Sequence, residues 1–494
     1  MSRFTDSIKY ILLLLIIAIP VFGFLDTLPV RLWDESRVGM NALEMFYNGD
    51  YLVAHYDGNP DMWNTKPPLM LWLQVFFMYI FGPGEIALRL PSAFAVLLTF
   101  VALLLFCKRY LKNFWLGFIT VLCLVTTANY MNFHVARSGD YDALLVLFST
   151  TACLFFYAFC ETKQSKYLYY FFAAFTLGVY TKGVTILMFG PALLIYAIIT
   201  VPLRSFLKNK HFYIGLFSSV FLVLGFYLLR ESQNPGYIKA VGENELGGRF
   251  LVDQINSKSS FWFYYDNFLS FDFADRYLLI PCGFLIGIFN KDQRIKKITL
   301  FIGLICLIFF LIISCSKTKY SWYDAPICPW FAFFTALIVE LFFRWLKETP
   351  AFLQTLTRNV VPYLFLFLIF ITPYRQVWSR TYSPSETQGE EDYYHVMAYL
   401  KDATRGNVHM HNKYVVYEDY NAPLYFYVEI LKRQKVNTGF KSFNELKKGD
   451  VVLVSWDPTR EKIKKAFKCV EIHERYSIYT LIILDPKTYQ SAKK

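Results

Sequence analysis

Charge is in short supply in this sequence. Asp, Glu, Lys and Arg make up 18% of its 494 residues, against about a quarter in soluble domains. Together with 55% hydrophobic residues and a mean hydropathy of +0.33, that shortage argues against a water-soluble globular protein. Paired cysteines are missing too. The nine Cys include no Cys-x-x-Cys, which removes the common zinc and redox signatures. All but Cys469 lie in or beside apolar runs, as small buried hydrophobes do. No Ala-x-Ala-like cleavage site follows the first apolar run, Tyr10–Phe24, so it reads as a retained helix and not a cleaved signal peptide. Low-complexity linkers and internal repeats are also lacking.

What the chain has in abundance is long apolar runs. A helix that crosses a bilayer needs roughly 20 mostly apolar residues. Runs at 10–29, 86–107, 114–132, 143–160, 167–181, 183–202, 211–229, 277–289, 298–314, 325–343 and 358–373 meet or approach that length. The expected fold is a polytopic α-helical membrane protein of about 11–13 spans. Aromatics make up 19% of the chain, and Tyr and Trp suit membrane interfaces because one end is apolar and the other polar. The net charge of +12 comes mainly from short loops between runs. No basic helix or nucleic-acid motif accompanies it, so nucleic acid is excluded as a partner.

Those short loops orient the chain, because Lys and Arg concentrate on the cytoplasmic side. With Arg3 and Lys9 inside, the inside loops are Lys108–Lys112, Glu161–Lys166, Arg204–Lys210, Lys291–Lys297 and Arg344–Lys347, all short and basic. The outer segments are then 30–85, 133–142, the Thr181-Lys182-Gly183 turn, 230–276, 315–324 and a tail from 374. The tail is more polar. Alternating runs at Val451–Val454 and Tyr476–Leu484 and helical patterns at Asp392–Leu400 and Leu424–Lys432 mark it as a soluble α/β domain over 374–494, following a membrane domain over 1–373.

Five outer segments carry ionisable residues at the membrane edge, where such groups are costly and usually functional. The first is Asp34-Glu35-Ser36-Arg37. Its carboxylates suit a general base or a polar ligand, although Asp34 could equally cap a helix. The second is Lys66-Pro67-Pro68. The prolines start a helix and hold Lys66 at its lip, where it suits a phosphate or snorkels toward head groups. The third is Arg137-Ser138-Gly139-Asp140-Tyr141-Asp142. The others are Thr181-Lys182-Gly183 and Ser316–Asp324, which contains Lys317, Lys319 and Tyr323. All five open on one face, as the rim of one polar pocket would. His409 and His411 in the tail, and the lone His55 and His134, read as ordinary surface or core histidines.

The ordered set Asp34-Glu35-Ser36-Arg37, Lys66-Pro67-Pro68, Arg89-Leu90-Pro91-Ser92, Ala136–Asp142, Thr181-Lys182-Gly183 and Ser316–Tyr323 resembles the dolichyl-phosphate-mannose protein mannosyltransferase and aminoarabinose lipid A transferase family. The resemblance covers roughly residues 30–330. It implies the GT-C fold and a polyprenyl-phosphate-linked sugar as donor. It also implies transfer on the periplasmic or luminal side, and the expected location is a bacterial inner membrane with the site on its periplasmic face. Carried over by position, Asp34 resembles the catalytic carboxylate, Lys66 the donor-phosphate lysine and Tyr323 a tyrosine on the same phosphate. Arg137, Asp140 and Asp142 align with the third-loop polar set. One departure stands out: many aminoarabinose transferases carry an acid just before Lys-Pro-Pro, where this chain has Thr65.

The expected chemistry is transfer of a monosaccharide to a lipid, glycan or protein acceptor, with inversion at the anomeric carbon. Lys66, Arg137, Lys317 or Lys319, and the Tyr323 hydroxyl would stabilise the leaving phosphate. Asp34 would act as base toward a hydroxyl acceptor. Glu35, Arg37, Asp140, Asp142 and Lys182 complete the expected substrate contacts. Asp34 and Glu35 could hold a divalent cation through oxygen ligands, but no metal is assigned. The competing reading is a transporter or flippase of lipid-linked sugars; a non-catalytic membrane scaffold comes third.

Overall fold

Short polar residues start several of the apolar helices. The Asn113 side chain accepts the N–H of Leu116 ahead of helix Phe114–Val125. Asn209 accepts that of His211 ahead of Lys210–Gln233, and Asp292 that of Arg294 ahead of Gln293–Cys315. Each satisfies a backbone donor that the first turn leaves unpaired. Pro68 precedes helix Leu69–Phe81, so Lys66 does end at a helix start.

The structure is a computed structural model that describes residues 2–248, 260–273, 275–348, 355–385, 391–416, 420–454 and 457–487. Among the described residues, seven helices are long and apolar enough to cross a membrane, and four shorter apolar helices accompany them. Each of the eleven runs read from the sequence lies on one of these helices. Many outward residues are large and apolar: Phe221 is 76% exposed and Phe289 81%, as lipid-facing side chains are. The protein is a multi-pass α-helical membrane protein with a small C-terminal sheet domain.

The stretch Lys166–Thr200 stays helical along most of its length but doubles back. Gly183, at φ +58°, breaks it, and the Thr200 carbonyl returns to accept from Lys163 Nζ at 3.1 Å. Lys182 therefore sits at the turn between two passes. Two runs end earlier than their hydropathy does. The 114–132 run is helical only to Val125, and the 10–29 run only to Phe22. The last long helix, Thr355–Tyr382, runs past the expected end at 373 through Pro373. The first helix of the C-terminal domain is Glu391–Thr404.

The C-terminal sheet has the order Thr438–Lys441, Lys413–Val416, Val451–Val454, Tyr479–Pro486, Phe467–His473. Its first three strands are parallel and its last two antiparallel. The domain is bolted to one end of the helices. The Tyr427 hydroxyl donates to Glu85 Oε1 at 2.6 Å and accepts the Val30 N–H at 2.8 Å. Lys401 donates to the carbonyls of Asp26 and Thr27. That domain-bearing face also carries all five outer motifs.

Candidate functional site

A clasp around Glu35 positions the site. Arg89 spends all five of its N–H donors: on Glu35 Oε1 and Oε2 at 2.7 and 2.8 Å, and on the carbonyls of Leu25, Leu28 and Pro29. Glu35 also accepts the N–H of Gly139 at 2.7 Å and of Arg31 at 2.7 Å. Four segments meet there: the 25–31 loop, helix Asp34–Asn48, helix Glu85–Arg109 and the third loop. Gly139 is needed for that approach, since a Cβ would lie 2.9 Å from the Leu88 carbonyl oxygen. Burial alone would push the Glu35 carboxyl up, but Arg89 and the backbone donors outweigh it and hold it below the usual value. Glu35, expected to touch substrate, is instead a structural anchor with both oxygens committed. It also cannot join Asp34 in holding a cation.

Trp33 turns Asp34 outward. Its φ of +69° is a strained conformation for a bulky residue, and its surroundings over-determine it. Its ring stacks on Tyr420 at 4.8 Å, and its carbonyl accepts from Ser36 Oγ, Arg37 N–H and the Tyr420 hydroxyl. Strain of this kind gathers at functional sites. The Asp34 side chain is left 51% exposed, with Oδ2 at 3.9 Å from His134 Nδ1. His134 in turn lies 3.0 Å from Asp140 Oδ2 and stacks on Trp322 at 3.6 Å. Burial would raise the Asp140 carboxyl, but the His134 bond and charge hold it low. A small cavity of about 140 Å³ beside Trp33, His134 and Asp140 opens here.

The carboxylate next to Asp34 is therefore Asp140, not Glu35, and the group between them is His134, which the sequence did not single out. Ligand atoms of Asp34, His134 and Asp140 lie within 4.8 Å of one another. Two carboxylates and an imidazole fit a borderline divalent ion such as Mn²⁺ better than an all-oxygen hard ion.

The second half of the site lies around Lys66. Its Nζ is 3.4 Å from Glu245 Oε1 and 5.3 Å from the centre of the Tyr141 ring. Thr65 Oγ1 also reaches Glu245 Oε1, at 3.4 Å. Glu245 thus brings from a distant segment the carboxylate that the Thr65 position lacks. Asp142 and Lys182 form a buried two-bond pair at 2.6 and 2.8 Å, and Lys182 Nζ stands 5.4 Å over the Tyr323 ring. Asp142, Lys182, Glu245, Thr318 and Tyr323 line one narrow, mostly apolar slot of about 70 Å³. Trp322 and Tyr323 join the halves: one lies under His134, the next under Lys182.

The remaining expected contacts are placed differently. Arg37 binds Asp61 through two bonds of 2.8 Å and lies 3.5 Å over the Tyr56 ring. From Asp61 a buried chain runs through Asn41 and Asn64 to the Tyr141 hydroxyl. Arg37 therefore braces the first loop against the third. Burial would raise Asp61, but Arg37 holds it below the usual carboxylate value. Arg137 points away, toward the carbonyls of Pro20 and Phe24. Lys319 Nζ folds back on the Ser316 carbonyl at 2.7 Å, and Lys317 is exposed. Met410 is buried, and His409 and His411 on either side of it are exposed residues of the C-terminal domain.

The fold defines the class. A multi-pass helical domain with its charged loops gathered under a small C-terminal domain is the GT-C type of fold. Residues 65–227 match the family described as dolichyl-phosphate-mannose-protein mannosyltransferase. An undecaprenyl phosphate-alpha-4-amino-4-deoxy-L-arabinose arabinosyl transferase of Pseudomonas fluorescens is 27% identical over 64% of this chain and 57% of its own length. The chain spans less than two thirds of the curated relatives it matches. Among solved structures, ArnT from Cupriavidus metallidurans bound to undecaprenyl phosphate superposes with a TM-score of 0.71 at 15% identity, over 97% of this chain and 98% of that one. The archaeal oligosaccharyltransferase AglB of Archaeoglobus fulgidus gives 0.50 at 10% identity, over 97% and 74%.

Proposed function

We propose that this protein transfers a monosaccharide from a polyprenyl-phosphate donor to an acceptor at the periplasmic face of the bacterial inner membrane. The observation that carries the reading is the convergence of Asp34 and Lys66, from separate segments, on the domain-bearing face. They are joined through Asp140, Tyr141 and the Trp322-Tyr323 pair.

Lys66 meets the phosphate of the donor, and Tyr323 lines the adjoining slot together with Glu245, the partner of Lys66. As the anomeric bond breaks, charge grows on that phosphate, and a preorganised cation in a water-poor site stabilises it by several kcal/mol, as an order of magnitude. Glu245 pairs with Lys66 meanwhile, so the donor phosphate replaces a carboxylate partner rather than meeting a bare ammonium. Asp34, half in water and unencumbered by Arg89, takes the proton of an acceptor hydroxyl. His134, held by Asp140 and Trp322, fixes the far side of that carboxylate. Lys182 neutralises Asp142 and braces Tyr323; it has no charge to spare for the donor. A single displacement at the anomeric carbon inverts it.

The relatives named above are transferases, which disfavours the transporter alternative. The test is mass spectrometry of envelope lipids and glycoproteins from cells with the wild-type gene, without it, and with Asp34→Asn. A sugar missing from one class of molecule in both altered strains supports the reading. Full modification in the Asp34→Asn strain, at equal expression, overturns it.

A further inference from the structure

At the end of the helices away from the C-terminal domain, a hollow of about 340 Å³ takes no part in the chemistry described so far. It opens between the starts of Phe114–Val125 and Gln293–Cys315 and the last turns of Cys328–Glu348. Its charged lining sets Lys112, Arg294, Arg344 and Lys347 against Asp292 and Glu340. Both carboxylates are committed, Asp292 to Arg294 and Glu340 to Arg344. Lys112 and Lys347 remain, and among the described residues no carboxylate pairs with either. Lys347 Nζ sits instead among three rings, 5.2 Å from the centre of Trp115 and 5.3 Å from those of Phe343 and Tyr363. Lys9 Nζ stands 5.7 Å over the same Trp115 ring. Aromatic faces hold an ammonium group in place without cancelling its charge. Like charges gathered at one hollow repel each other, and an anion between them removes that cost.

We propose that this hollow binds the head group of an anionic phospholipid from the leaflet opposite the C-terminal domain. Basic pockets between membrane helices suit such head groups. Three features specify the ligand. The charge left over is cationic, so the ligand is an anion. The charged lining runs straight into apolar surface: Phe289 follows directly before the lining residue Asn290, and Phe289, Tyr363 and Leu364 are all exposed. Acyl chains have a place to lie beside a docked head group, which a free anion in solution would not use. Trp115 and Tyr363 carry the amphipathic rings that favour head-group depth. A lipid held here ties together three helix ends whose own ion pairs are short in range. It does not depend on the transferase reading.

The test is calorimetric binding to the full-length protein in non-ionic detergent micelles. The probes are dihexanoyl phosphatidylglycerol, dihexanoyl phosphatidylcholine and inorganic phosphate. Phosphatidylglycerol should bind best, and less tightly as salt rises. Lys112→Gln and Lys347→Gln should each weaken it about fivefold, the scale of one lysine at an anionic surface. Lys347→Arg should lose less, and Lys66→Gln should leave this binding as it is. Thermal unfolding matched to wild type shows that the variants fold. The wild-type protein gives a second readout: phosphatidylglycerol should raise its thermal midpoint more than phosphatidylcholine does. Unchanged binding in both glutamine variants overturns the proposal. So does phosphatidylcholine or inorganic phosphate binding as tightly as phosphatidylglycerol, or an equal rise in midpoint with both lipids. Binding needs no turnover, so survival of transfer in Asp34→Asn would sink the catalytic reading and leave this result standing.

Discussion

The two ends of the helical domain carry similar charges and use them in opposite ways. At the domain-bearing end, partners come from far apart in the chain and are buried. Arg89 reaches Glu35 with both side chains under 5% exposed, and Lys182 reaches Asp142. At the other end, partners are mostly near neighbours and wet: Arg344 with Glu340, Arg294 with Asp292. The hollow at that end, about 340 Å³ between Lys112, Arg294 and Lys347, is larger than any described around the site. Size is therefore a poor guide to the chemistry here. Buried, long-range pairing marks the working end, because a charge taken out of water must be matched precisely or it destabilises the fold.

The sharpest break of that comparison is Asp34, the half-exposed carboxylate among buried ones. Asp34→Asn should lower sugar transfer by about 10²–10⁴-fold, the usual contribution of a general base, while the thermal midpoint of the purified protein stays within a few degrees. A large fall in midpoint would make Asp34 another brace. Next comes Asp142→Asn. It leaves Lys182 buried without its partner, and breaking such a pair costs about 3–5 kcal/mol. Thermal or denaturant unfolding in detergent should show it. The double variant Asp142→Asn with Lys182→Met should recover most of the loss, because no bare charge remains. Failure to recover would mean that the pair does more than balance charge.

The sequence made some of this contrast legible and hid the rest. Apolar runs and Lys/Arg-rich short loops exposed the passes and the face on which the motifs gather, because hydrophobic length and loop charge are local properties. Motif order exposed the likeness to the family whose model matches residues 65–227. Pairing was not legible. Glu35 and Arg37 read as ligands because adjacent ionisable groups beside a membrane look available. Arg89 and Asp61, which claim them, lie 54 and 24 residues away. Glu245 was missed because no motif marks its segment. His134 had a weak signal, three residues before Arg137. What defines its role, the stack on Trp322, depends on a contact across nearly 190 positions.

A pH scan sharpens the comparison further. Arg37 holds Asp61 below its ordinary pKa. The sign follows: in the unfolded chain Asp titrates near about 3.9, so the native pair favours folding fully above that pH. The contribution fades as pH falls from there through the lower folded value. Asp61→Asn removes it. The gap in midpoint between wild type and Asp61→Asn should be level from about pH 5 to 8 and close as pH drops below about 4. A gap that widened in acid would mean that Asp61 is protonated in the fold and Arg37 is not its partner.

The smallest effect belongs to the opposite end. Glu340 holds Arg344 one turn along its helix and accepts from Asn113 at 2.9 Å. Arg344 is 45% exposed, so water screens the pair, and such pairs contribute about 0–1 kcal/mol. Glu340→Gln keeps an acceptor for Asn113 and removes only the charge. Stability should shift by less than about 1 kcal/mol and sugar transfer should be unchanged. A loss of transfer would tie the wet end to the chemistry, and long-range burial would no longer distinguish the working face.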